Sequence, residues 1–109
     1  MRKKSIPDNV REKVLEVIER FNKKTFHGVN CYYIARFQGK FLYLDRNDYG
    51  QIGPICRLKY KGEIDNWDFA IFKWSSETYD PDEWMFPGSE YVDGTVNVAM
   101  KAGLEAYPA

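Results

Sequence analysis

Cysteine, histidine and unbroken apolar sequence are all scarce in this chain, and each scarcity excludes something. Two cysteines, Cys31 and Cys56, among 109 residues are too few for a disulfide scaffold. Both fall in strand-like segments, so two half-buried free thiols are expected, in a reducing compartment such as the cytoplasm. The single histidine, His27, stands before Cys31 in an H-x3-C arrangement that is not a zinc spacing, and a four-ligand site would need carboxylates to complete it. No metal is therefore expected, nor a Cys/His nucleophile; His27 reads as an exposed residue after a helix. The longest apolar runs fall far short of the ~20 residues that span a bilayer, and the basic start Met1-Arg-Lys-Lys leads into polar residues. No membrane partner is expected.

Glycine signatures are missing too. Gly50-Gln-Ile-Gly53-Pro54 has neither the G-x-G-x-x-G pattern nor a Walker lysine, so no nucleotide cofactor, and no cofactor of any kind, is expected. The turn from Asp45 to Gly50 has Asp, Asn and Gly where a calcium loop needs its first, third and sixth residues. It then places Tyr49 and Cys56 where oxygen ligands belong, and reads as a hairpin loop.

Aromatic residues are abundant, at 17% of the chain, while 29% are charged. With a mean hydropathy of −0.57, this composition describes a folded domain rather than a disordered tail. The length suits one domain over residues 1–109, with residues 1–5 flexible.

Residues 7–24 predict an amphipathic helix through Val10, Val14, Val17, Ile18 and Phe21. Ser5 or Asp8 is its expected cap, Lys23 and Lys24 suit its last turn, and Gly28 its exit. Cys31–Phe37 and Lys40–Asp45 predict a hairpin turning at Gln38-Gly39, and Arg46–Pro54 is turn-like throughout. Ile55–Tyr60 alternates Cys56, Leu58 and Tyr60 against Arg57 and Lys59, a half-buried strand. Trp67–Ser75 is apolar on both faces, as in a central strand buried along its length to Trp74.

Ser76–Gly94 is long for a connection, and Asp80-Pro81-Asp82-Glu83 signals a short helix ended by Pro87-Gly88. A last helix, capped by Asp93 or Thr95, carries Val96, Ala99, Met100, Gly103 and Tyr107 on one stripe; Gly103 there implies close packing. The expected fold is α+β: an N-terminal helix, a four-stranded antiparallel meander, a short helix in a long acidic loop, and a C-terminal helix, with the helices on one face of the sheet. This order resembles that of a double-stranded RNA-binding domain in topology only. The last helix of that family begins with lysines, whereas this one begins Asp93-Gly-Thr-Val-Asn97, and a further strand is present.

Charge is polarised along the chain. Residues 1–61 hold 14 Lys/Arg against 6 Asp/Glu, and residues 62–109 hold 2 against 10, so the net charge is zero. Two oppositely charged regions can attract each other within one fold or between two copies. Trp84-Met85-Phe86, flanked by Asp82 and Glu83, either folds back to cover one face of the sheet or protrudes as an aromatic anchor ringed by carboxylates, suited to a basic surface. The expected function is that of a small cytoplasmic binding module without catalytic machinery, meeting a protein partner or a second copy through this loop. The alternative is nucleic-acid association through the basic half, with Arg36 and Lys40 meeting phosphates and Tyr32 and Tyr43 stacking. The remaining carboxylates, Glu77, Asp80, Glu90 and Asp93, read as helix caps and solvated loop residues.

Overall fold

The structure, a computed structural model, describes residues 5–109. The expected flexibility of residues 1–5 therefore falls, for residues 1–4, outside the described residues, as do Arg2, Lys3 and Lys4 of the basic half.

Helix α1 spans Asp8–Phe26 and buries Val10, Val14 and Ile18, with Val17 and Phe21 packed partly against the same core. Neither Ser5 nor Asp8 caps it. Pro7 occupies the cap position in an extended conformation, with no side-chain cap bond, and its carbonyl accepts from Val10 and Arg11. Proline's fixed φ sets the entry direction without a capping oxygen. At the other end His27 itself takes the left-handed conformation, with φ 49°, one residue ahead of the predicted glycine.

Five strands follow in one antiparallel sheet of order β1-β2-β3-β4-β5: β1 Cys31–Gln38, β2 Phe41–Asp48, β3 Gln51–Tyr60, β4 Trp67–Lys73 and β5 Thr78–Asp80. Five strands replace the four expected, because the first residues of the supposed loop pair with β4, Lys73 opposite Thr78. The first hairpin turns at Gly39-Lys40, one residue later than Gln38-Gly39.

The larger departure lies in residues 46–54, which belong mostly to strands. Tyr49 and Gly50, at φ 56° and 99°, alone make the β2–β3 turn, the mirror-image geometry that matches strand twist. Asn47 braces it, its side-chain oxygen accepting from Gly50 N–H and its amide donating to Asn30. Pro54 stands opposite Asp45, where the pairing slips between Leu44 and Asp45, and a bulge is a place where a sheet tolerates proline.

Beyond β5 the helix-start signal at Asp80 is spent otherwise. Asp80 ends the strand and its carboxylate accepts from Asp82 N–H in a turn. The short helical element is a single 3₁₀ turn, Ser89–Tyr91, after Pro87-Gly88 rather than before it.

Helix α2, Val96–Ala106, is capped by Thr95, whose hydroxyl accepts from Val98 N–H and in turn donates to Asp93. Gly103 is as close-packed as expected: a Cβ there would lie 2.6 Å from Ile55 Cγ2 and 2.6 Å from the Tyr33 hydroxyl. Tyr33 joins the elements. Its ring meets Phe21 and Phe26 of α1, its backbone is bracketed by the Asn22 amide, and its hydroxyl donates to the Met100 carbonyl of α2 at 2.7 Å. Leu42, Leu44, Cys56, Leu58, Trp67, Phe69 and Ile71 complete this core. No helix among the described residues is long and apolar enough to cross a membrane.

Candidate functional site

The segment after β5 divides its bulky residues. Phe86 stacks on Phe69 of β4, with ring centroids 5.7 Å apart, and Trp84 tilts against both rings while remaining half exposed. Glu83 is tied down twice: its carboxylate accepts from Lys73 Nζ at 3.1 Å and from Met85 N–H at 3.1 Å. Asp80 adds a second, longer contact to the same lysine at 3.8 Å. The hydrogen bond to Glu83, before any other influence, raises the Lys73 pKa. Between these anchors Met85 projects into solvent with 92% of its surface exposed.

A cleft of about 360 Å³ opens beside it, walled by Ile71, Lys73, Trp74, Phe86, Pro87 and Tyr107. Trp74, expected inside, stands 57% exposed in the turn after β4. Its ring packs edge-on against Phe72 and lies over Gly53, where a Cβ would come within 3.7 Å of it. A second cleft, of about 300 Å³, shares Trp74 and Tyr107 with the first and is lined also by Arg46, Asp48 and Ile55. Trp74, Trp84 and Met85 are thus large apolar groups left uncovered, and Glu83, paired with Lys73, is the carboxylate in the wall of the first cleft.

Arg36 and Tyr43 meet on another surface. Strand alternation points them away from the side of the sheet that carries Tyr33. The Arg36 guanidinium lies 4.6 Å from the Tyr43 ring centre and forks onto the Asp45 carboxylate at 3.0 and 3.2 Å. Beside it, Arg57 sits 4.6 Å from the Phe41 ring and 5.5 Å from that of Tyr79, and Tyr79 packs edge-on against Tyr43 and Phe72. The result is an alternation of cations and rings across four strands. The structure does not bring every candidate there: Tyr32 is four residues along β1 from Arg36, about 13 Å at strand rise, and Lys40 lies in the hairpin turn.

Arg46, which the sequence placed in a loop, is the largest fully buried side chain. It donates to Asp48 at 2.7 and 3.1 Å, to the Tyr33 hydroxyl at 3.4 Å and to the Tyr107 carbonyl. Burial opposes its charge, but the bonds to Asp48 and Tyr33 outweigh it and the guanidinium pKa is raised. Cys31 donates to Asp48 at 3.3 Å, and burial first, then this bond, raises its thiol pKa. Cys56 is buried and burial likewise pushes its pKa up. Both cysteines are unpaired, and neither is a poised thiolate. Among the described residues no group of three or more His, Cys, Asp or Glu side chains could hold a metal ion.

Comparison of the chain with protein-family models, with curated proteins and with solved structures finds no match. Its functional reading therefore rests on these surfaces. Tyr79 and Trp74 were the residues missed. Tyr79 lies in a strand of three residues, which leaves no periodic signal, and the strand-ending Ser75-Ser76 pair was the available signal for Trp74.

Proposed function

We propose that this protein is a small cytoplasmic interaction module whose contact site is the cleft of Trp74, Met85 and Phe86, with the half-exposed Trp84 beside Phe86. The observation that carries the reading is Met85: a large apolar side chain held out in solvent by neighbours that are both fastened, Glu83 to Lys73 and Phe86 to Phe69. Presenting an apolar group on an immobilised segment lowers the ordering cost of binding, and aromatic and methionine side chains concentrate contact energy. The acidity of residues 62–109, with 2 Lys/Arg against 10 Asp/Glu, favours a basic partner. A second copy offers one, because the β1–β2 hairpin with Arg36 belongs to the positively charged part of the chain. In this reading both helices cover the face of the sheet that carries Tyr33, the chain is a single domain, and the opposite face remains open.

Light scattering across a concentration series tests the proposal. Reversible association that weakens with added salt and is lost in Met85→Glu, at unchanged melting temperature, is expected. A monomer at every concentration in low salt defeats self-association.

A second reading is favoured by the arrangement of Arg36 and Arg57 over Tyr43, Phe41 and Tyr79. Rings and guanidinium groups interleaved on a sheet suit stacking of single-stranded nucleic acid. It predicts oligonucleotide binding that falls steeply with salt and with Arg57→Ala, while Met85→Glu leaves it intact.

A further inference from the structure

A third cavity, of about 430 Å³, lies at the end of the sheet where the β1–β2 turn meets the end of β3, and its lining is basic: Lys40, Lys59 and Lys61, with Ser5, Tyr60 and Gly62. Backbone bonds hold its walls together. Tyr60 N–H donates to the Lys40 carbonyl at 2.8 Å, joining the hairpin turn to the end of β3, and Ile6 N–H donates to the Gly39 carbonyl, bringing the segment with Ser5 against the same turn. Among the described residues Lys40 and Lys59 make no ion pair, and Lys61 makes one exposed contact, 3.3 Å to Asp68. Three lysines, with the hydroxyl-bearing Ser5 and Tyr60, therefore line one concave site that has no carboxylate in its wall, and a concave surface concentrates the field of its charges.

We infer that this cavity is a seat for a phosphoryl anion carrying two or more negative charges. Three lysines present up to nine N–H donors and no acceptor, which suits a group made entirely of acceptor oxygens. The volume exceeds that of one orthophosphate and accommodates a diphosphate, or a backbone phosphate with its neighbouring sugar. This site is separate from the cleft of Met85, shares no residue with it and stands whether or not the protein self-associates.

The test is an amide and lysine-side-chain NMR titration of the whole protein, at low ionic strength, with pyrophosphate in one arm and a short single-stranded oligonucleotide in the other. Saturable shifts at Lys40, Lys59, Tyr60 and Lys61 are expected in at least one arm. Saturation by pyrophosphate assigns the seat to a free phosphoryl compound, and saturation by the oligonucleotide alone assigns it to a nucleic-acid backbone. Lys59→Gln should weaken binding about tenfold or more, and the Lys40→Gln/Lys59→Gln pair should abolish it. Lys24→Ala, a helix lysine remote from the cavity, should leave it unchanged. The variants' amide spectra report whether they are folded. Absence of saturable shifts in both arms, or equal loss in Lys24→Ala, overturns the inference.

Discussion

Arg46 carries the most concentrated liability in the molecule, since a guanidinium at 1% exposure is tolerable only while its acceptors hold. Replacing it by Ala leaves the Tyr33 hydroxyl, the Asp48 carboxylate and the Tyr107 carbonyl each short of a donor. Urea denaturation should show a loss of about 3 kcal/mol, in the range for breaking a buried ion pair from one side. Arg46→Met, which keeps the volume without the charge, should lose clearly less. Gly103 makes the opposite case, a residue whose value is its missing atom. In an exposed helix Gly→Ala gains about 1 kcal/mol, but here the new Cβ would collide with Ile55 and Tyr33, so Gly103→Ala should destabilise by about 1–3 kcal/mol. Gly103 could be read from sequence as a close-packing site because a glycine in a helix needs a reason. Arg46 could not, because Arg-Asn-Asp beside glycines and a proline has the composition of a loop, and only tertiary pairing makes it a strand.

Elements differed in how openly they announced themselves. The stripe of α1 and the alternation in β3 and β4 follow from burial on one side or both, so their periods survive in the sequence and their ends shift by only a few residues. β5 is three residues long, too short for a period to register. The Asp80-Pro81 signal was real as turn chemistry, but the Asx bond to Asp82 N–H claimed it before a helix could. Met85, Trp84 and Phe86 were recognisable as a cluster from sequence, whereas which of them would face solvent depended on the tie between Glu83 and Lys73. The end of α1 offers a test at this scale. His27 is exposed and left-handed, a conformation costly for any residue with a Cβ. His27→Ala should change stability by less than about 0.5 kcal/mol, both residues bearing the same strain, while His27→Gly should raise it by about 1 kcal/mol in thermal or chemical denaturation.

At the scale of the whole molecule, the buried thiols and phenols and Lys73 act in one direction. Cys31, Cys56, Tyr33, Tyr79 and Tyr107 all have pKa values raised, chiefly by burial, and Lys73 by its bond to Glu83. A raised value means that the folded state holds its proton where the unfolded chain has already released it. The stability these groups contribute is complete below their unfolded values and is lost as pH climbs toward the folded ones. Stability should therefore begin to fall near pH 9, the ordinary thiol value of 9.0, and fall faster beyond 10, as the phenols and Lys73 join. Denaturation midpoints measured from pH 7 to 11 check this, and Cys56→Ala should reduce the earliest part of the decline to the share of Cys31.

Tyr33 reaches Met100 and Arg46 reaches Tyr107 across 67 and 61 positions of chain. Synthesis runs in order, so the residues that close over the meander are made after it. Until α2 arrives, Arg46 lacks one of its acceptors and the Tyr33 hydroxyl lacks its own. Docking of α2 completes the bonds of both residues, and a chain ending before Val96 should be cleaved far faster by protease than one extended past Tyr107.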